Sequence, residues 1–179
     1  MGAAALRFMM LTAARSGEVR GARWDEIDTE AAMWTIPAER MKASKPHRVP
    51  LCAAALALLA SLPRRGPYVF PGERQPQLSE NTLSKVLKGV HTSRGATGFL
   101  DPLSGSPAVP HGLRSSFRDW CAERGVDRDM SEIALAHTVG SEVERAYRRS
   151  DMLERRRRLM EDWAGFLSGE AIGKVVSLR

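Results

Sequence analysis

The chain reads as an α+β protein, mostly helical, with one small three-stranded antiparallel sheet in its N-terminal part. Three patterns predict this. Apolar residues recur at helical spacing over most of the 179 residues, a period-two pattern is confined to Trp24–Leu51, and one long segment, 92–110, follows neither period. A composition of 43% hydrophobic, 6% aromatic and 27% charged residues is that of a globular chain long enough to bury its own core.

Residues 3–14 (AAALRFMMLTAA) are apolar nearly all round, which predicts a helix buried on every side. The chain is expected to turn at Ser16–Gly17, with Ser16 capping a short second helix, EVRGARW, that carries Val19, Ala22 and Arg23. EIDTE, MWTIP and HRVPL then alternate as three short strands, with Thr29–Glu30 and the KASKP stretch at the turns of a meander. AAALALLASL (53–62) is a helix, and YVFPG (68–72) a short extended piece ending in a turn. Ser79 is expected to cap ENTLSKVLKGV, whose Leu83, Val86, Leu87 and Val90 share one face. Rich in Gly, Pro and Ser, residues 92–110 read as a long surface loop inside one domain.

Past that loop, HGLRSSFRDWCAERG is an amphipathic helix. Leu113, Phe117, Trp120 and Cys121 are expected to face the core, and His111, Arg114 and Arg118 the opposite side. MSEIALAH makes a short helix ending near His137, and Ser141 with Glu144 reads as a capping box for a helix bearing Tyr147. LERRRRLMEDWAGFL places Leu153, Met160, Trp163 and Leu167 at helical spacing, with Arg155–Arg158 expected on a solvated face. The expected organisation is one domain over 1–168 and a patternless tail over 169–179.

Bulk chemistry narrows the function classes. A net charge of +6 suits polyanionic partners, a weak signal by itself. Cys52 and Cys121 form neither a disulfide framework nor a CxxC metal pattern, which points to a reducing, intracellular setting. No cluster of Asp, Glu and His has ligand-like spacing, so a metal-dependent nuclease is poorly supported and no cofactor or metal is expected. Residues 2–14 lack a basic lead-in and a cleavage-like site and are too short to cross a bilayer, so no membrane role is expected.

Two stretches carry chemistry, HGLR (111–114) and SEVERAYRRS (141–150), and LTAARSGEVRG (11–21) adds Arg15 far upstream. In HGLR the histidine and arginine stand three residues apart and so project from one face of a helical turn. An arginine, His-x-x-Arg, a further histidine and then a tyrosine is the set that attack of a phenol on a phosphodiester needs. Arg15 and Arg114 would each meet two phosphate oxygens in a fixed fork where negative charge builds. A phenol ionises near pH ~10, so Tyr147 as nucleophile needs cationic neighbours and a proton acceptor such as His111. A lysine on the second hairpin, Lys42 or Lys45, suits protonation of the departing oxygen, and His137 suits a hydrogen bond to the phosphate. Each residue also has a plainer reading: alone, Tyr147 is packing, Arg15 an ion pair and His137 structural. His47 and His91 are read as solvent-facing or structural.

Taken in order, LTAARSGEVRGARWDEID, the hairpin lysine before HRVPL, YVFPG, HGLRSSF, LAH and AYRRS resemble the catalytic domain of the tyrosine recombinases, in the phage and genomic-island integrase branch. The likeness runs from about residue 4 to residue 167. HxxR alone occurs by chance in many chains; the whole series in order is specific. The resemblance implies Arg15 as the first catalytic arginine, Lys42 as the hairpin lysine and His111 with Arg114 as the His-x-x-Arg pair. It also implies His137 at a position held by His or Trp, Tyr147 as nucleophile and Glu18 as a supporting acid.

By that resemblance the chain would have the tyrosine-recombinase catalytic fold and cut and rejoin DNA through a 3′-phosphotyrosine link, without metal or cofactor. Its partner would be double-stranded attachment-site DNA, with the full-length protein a tetramer in a bacterial, nucleoid-associated, cytoplasmic setting. Relatives carry N-terminal DNA-binding domains for which this chain has no room, so it is expected to be a fragment or truncated copy. Ser115 stands where relatives commonly carry His, a departure expected to be harmless. Two rivals stay open: type IB topoisomerase-like relaxation, and a DNA-binding module without catalysis.

Overall fold

A computed structural model describes residues 1–170, apart from 74, 94, 96–97, 102–103 and 142–149. Among the described residues the helices are α1 (Gly2–Thr12), α2 (Ser16–Arg20), α3 (Ala53–Ala60), α4 (Thr82–Ser93), α5 (Pro110–Glu123), α6 (Arg128–Ala134) and α7 (Leu153–Ser168). The strands β1 (Ile27–Asp28), β2 (Met33–Ile36) and β3 (His47–Pro50) form an antiparallel sheet in that order. Trp34 pairs with Ile27 on one side and Val49 on the other. The mostly helical α+β architecture is therefore the one the periodicities predict.

α1 is the axis of the core. Its apolar residues point in every direction, so α3, α4, α5 and α7 can all pack on it, and Ala5, Phe8 and Met9 are buried. Phe8 meets Trp34 of the sheet at 5.3 Å and Phe70 at 5.5 Å between ring centroids. A second aromatic group joins α5 to α7, where Trp163 lies edge-on to Phe117 at 5.3 Å. Buried aromatic pairs of this kind add about 0.5–1.5 kcal/mol beyond the area they bury. The Trp163 indole N–H is satisfied by the Met10 carbonyl at 2.7 Å, which ties α7 to α1.

Several element boundaries differ from the sequence reading, each for a local reason. The chain reverses at Ala13, which adopts a left-handed conformation (φ 50°), and not at Ser16–Gly17. Ser16 is not the cap of α2. The Glu18 carboxylate reaches back to the Arg15 N–H at 2.7 Å, so the acidic third residue does the capping. α2 ends at Arg20, and the chain then pairs with residues 67–69: Val69 N–H donates to Ala22 O and Trp24 N–H to Pro67 O, both at 2.9 Å. β1 is short because Trp24–Glu26 form a 3₁₀ turn, whose Glu26 carboxylate accepts from the Trp34 indole at 3.0 Å and from Arg40.

α4 starts at Thr82, with the Ser79 hydroxyl 2.9 Å from the Thr82 hydroxyl, and continues to Ser93. Within the expected loop, Leu100 bridges to Pro107, so part of the segment is a small hairpin. α6 starts earlier than MSEIALAH, because the Asp127 carboxylate caps Met130 N–H at 2.9 Å. Glu144 of the expected capping box, the helix bearing Tyr147 and the 171–179 part of the tail lie outside the described residues.

Candidate active site

Arg114 lies three residues before Phe117 and seven before Cys121, which places it on the inward face of α5. It is 5% exposed, so the expectation that it shares a solvent face with His111 and Arg118 is overturned. The guanidinium fans out to carbonyls at two chain reversals: it donates to Ala13 O, just past α1, and to Leu135 O at 2.7 Å, just past α6. Carbonyls at helix C-terminal ends have no partner inside the helix, and Arg114 supplies the donors. Burial, with the repulsion of nearby Arg15, pushes the Arg114 pKa down to about 10 against the opposing pull of Glu18. The group therefore stays cationic at neutral pH.

Arg15 approaches from the other side, at the start of α2. Its one-third-exposed side chain pairs with the buried Glu18 carboxylate at 2.8 Å and donates to Ala136 O at 3.5 Å. Glu18 thus caps α2 and holds Arg15 with one carboxylate. Ala13 and Ala136 both sit in the left-handed region (φ 50° and 53°), which costs an alanine about 1–2 kcal/mol. Each turns its carbonyl onto the more distant arginine, Ala13 onto Arg114 and Ala136 onto Arg15. The two loops that carry Arg15 and His137 are braced by the two arginines themselves.

His137 follows α6, with Nε2 3.4 Å from an Arg114 nitrogen and Nδ1 2.6 Å from Glu132 Oε2. Arg15, Arg114 and His137 are thereby gathered from three distant parts of the chain. His111, in the first turn of α5, is exposed. Both hairpin lysines are exposed, but it is Lys45 that lines a recess of about 760 Å³ between the hairpin and the α6–α7 side, together with His47, His137 and Arg156. Tyr147 lies outside the described residues.

His47 is a wall of the recess, and burial, then the charge of Arg156, pushes its pKa down to about 4, so it is neutral near pH ~7. His91 meets Phe99 O at 3.2 Å. The run Arg155–Arg158 is not a uniformly solvated face. Arg156 is 1% exposed and donates to Arg48 O, while Arg157 donates to Ala32 O at 3.1 Å. Arg156 precedes Leu159, Met160 and Trp163 by three, four and seven residues, the same core-face spacing that Arg114 shows on α5.

Two further residues belong to the site. Glu132 bridges His137 to Arg118, whose Nε donates to Glu132 Oε1 at 2.7 Å. Burial alone would raise the Glu132 carboxyl, but its hydrogen bonds from His137 and Arg118 prevail and hold it below the usual carboxylate range. No short motif marks this pairing, because it crosses from α5 to α6. Among the described residues no group of three His, Cys, Asp or Glu is placed to hold a metal ion, and no helix is long and apolar enough to cross a membrane.

Comparison with known proteins gives one consistent result. The phage integrase family matches residues 2–154. Prophage integrase IntA of Escherichia coli (strain K12) is 40% identical over 174 residues, covering 94% of this chain and 39% of that protein. The integrase of Enterobacteria phage P4 is 33% identical, covering 91% of this chain and 39% of that one. The chain thus spans about two fifths of the length of these relatives. Among solved structures, the integrase from mycobacterium phage Brujita superposes with a TM-score of 0.67 at 21% identity, over 89% of this chain and 50% of that one. The XerH site-specific recombinase bound to difH substrate gives 0.57 at 19%, over 83% of this chain and 45% of that one.

Proposed function

This chain belongs to the phage integrase family, and from that premise we propose that it is the catalytic part of a site-specific recombinase that cuts and rejoins double-stranded DNA. The observation that carries the reading is the convergence of Arg15, Arg114 and His137. Two guanidiniums and an imidazole are held by Glu18, by helix-end carbonyls and by Glu132 before any substrate arrives. Donors preorganised in this way act on the charge that develops on a phosphate under attack, each worth about 3–4 kcal/mol in comparable anion sites. Glu18 compensates part of the positive charge and keeps Arg15 in place.

In the proposed reaction the Tyr147 oxygen attacks the phosphorus, and the bond to the 5′-oxygen breaks. His111 accepts the phenolic proton, and a hairpin lysine protonates the departing oxygen. The 3′-phosphotyrosine conserves the bond energy, so rejoining by the reverse attack needs neither ATP nor metal. Lys42 is the assignment by likeness to relatives, and Lys45 is its rival because it shares the recess with His137. The full-length protein acts as a tetramer on attachment-site DNA in the bacterial cytoplasm, at the nucleoid. This rests on the likeness to integrases and on a neighbour named as bound to its difH substrate.

The test is a nicked suicide substrate carrying the attachment site, read as a denaturant-resistant protein–DNA adduct. Wild type is expected to form the adduct and Tyr147→Phe to form none. Of Lys42→Ala and Lys45→Ala, the variant of the true general acid is rescued by a substrate with a 5′-sulfur leaving group, which needs no proton. An adduct surviving in Tyr147→Phe would refute the nucleophile. DNA binding without any adduct would indicate a binding module, and relaxation of plasmids lacking a site would indicate topoisomerase-like activity.

A further inference from the structure

We propose that Arg40 is a positioning residue: it ties the hairpin that bears Lys42 and Lys45 to the end of α2, and so sets the proton-donating lysine against Arg15. The proposal rests on the strand-cleavage reading above, in which a hairpin lysine gives its proton to the departing 5′-oxygen. The sheet alone does not hold that hairpin. Its last ladder pair is Ile36 with His47, and residues 37–46 run beyond it. Within that run only Met41 is buried, and Lys42 and Lys45 are exposed. Arg40 ends a 3₁₀ turn, Ala38–Arg40, two residues before Lys42. Its guanidinium, 23% exposed, reaches back out of the hairpin to two acceptors. One is the Glu26 carboxylate, itself buried and fixed by the Trp34 indole at 3.0 Å. The other is Glu18 O, at 2.5 Å.

Glu18 O is an acceptor that α2 leaves open. Ala22 N–H would close on it in a continuing helix, but donates to Val19 O at 3.1 Å instead. Glu18 therefore links the two cationic parts of the site. Its carboxylate holds Arg15 at 2.8 Å, and its carbonyl is held by the arginine at the base of the lysine hairpin. Room for this contact comes from Gly21. A Cβ there would lie 3.0 Å from a terminal nitrogen of Arg40 and 3.3 Å from its guanidinium carbon, although the Gly21 backbone (φ −93°) suits any residue. Close approach, and not backbone conformation, accounts for the glycine. Meeting two acceptors in fixed directions needs the planar fork of arginine; a lysine would keep Glu26 and lose Glu18 O.

Arg40→Ala would strand the buried Glu26 carboxylate, so the variant is Arg40→Met/Glu26→Gln, which removes both charges together and leaves an amide oxygen for the Trp34 indole. In the full-length protein, adduct formation is measured on the nicked attachment-site substrate and on its 5′-sulfur counterpart, whose leaving group needs no proton. Amide hydrogen exchange is followed over residues 38–45. On the oxygen substrate the variant is expected to fall about ten- to a hundredfold, part of the ~10²–10⁴ that a positioned general acid supplies, and on the sulfur substrate to stay within about threefold of wild type. Exchange at Met41 N–H, which is bonded to Ala38 O at 3.0 Å, is expected to quicken while the β2–β3 ladder keeps its protection. An equal loss on both substrates overturns the proposal, because Arg40 would then serve the arginines or the fold, and so does no loss on either. Unchanged exchange over residues 38–45, or quickening that spreads through the ladder, also overturns it. If exchange quickens in the hairpin alone and wild type forms no adduct on either substrate, Arg40 does hold the hairpin and it is the strand-cleavage reading that fails.

Discussion

Arg114→Lys separates the structural work of this arginine from its chemical work. The guanidinium is buried and spans two carbonyls, Ala13 O and Leu135 O, that come from different helix ends. A lysine ammonium is a point donor and can meet one of them at most. The other is left buried without a partner, at about 1–3 kcal/mol, the usual cost of an unsatisfied buried polar group. The lost packing of the planar group adds to this, so roughly 2–4 kcal/mol is expected in all. For a chain of this size that corresponds to a fall in Tm of roughly 4–15 °C.

Arg15→Lys is the control. Arg15 is one-third exposed, its partner Glu18 remains within reach of an ammonium, and its contact to Ala136 O is long at 3.5 Å. Its cost is expected at or below about 1 kcal/mol, in the range of partly exposed ion pairs. Urea denaturation followed by circular dichroism measures both variants, with the adduct assay run in parallel. Both should lose most adduct formation, whereas only Arg114→Lys should lose substantial stability. Equal destabilisation of the two variants would refute the buried-brace reasoning.

Two further outcomes are expected. His47 takes up a proton near pH ~6.5 when unfolded but only near about 4 when folded, so the unfolded chain binds more protons between these values. Its contribution to stability is complete above pH ~6.5 and is lost as pH falls toward about 4. His47→Gln should flatten that slope in urea midpoints compared between about pH 7 and about pH 5, before most carboxylates protonate; an unchanged slope would place the burden elsewhere. Trp163→Ala should cost about 3–5 kcal/mol in the same denaturation assay, since the indole is buried among Phe117 and Trp120 and closes on Met10 O. Trp163→Phe should cost clearly less, because it keeps the ring contacts and loses the hydrogen bond; equal losses would mean that ring packing carries little.

Much of the fold was legible in the residues. The all-round apolarity of residues 3–14 marked the central helix, period-two alternation marked the three strands with their order, and the spacing of Phe117, Trp120 and Cys121 marked the core face of α5. Boundaries slipped where a side chain outcompeted propensity, as when Glu18 rather than Ser16 capped α2 and Asp127 started α6 early. That Arg15, Arg114 and His137 stand in this order was also readable, because residue type and sequence order survive without coordinates; that the three meet was not.

Polarity misled at Arg114 and Arg156. Both stand at core-face spacing, yet a guanidinium reads as solvent-facing unless its acceptors are known, and those acceptors are carbonyls at helix ends and strands far away in sequence. Glu132 was invisible for the same reason. Its meaning lies in touching His137 and Arg118 at once, and α5 and α6 bring those groups together only after they pack. Sequence by itself therefore determined which elements form and which residue types are present for chemistry, since local periodicity and side-chain pKa classes are properties of the chain. Tertiary structure alone decided which cations are buried, which carbonyls satisfy them and which nitrogen of His137 faces the site. Hydrogen-bond satisfaction is a count over neighbours in space, and those neighbours exist only once the chain has folded.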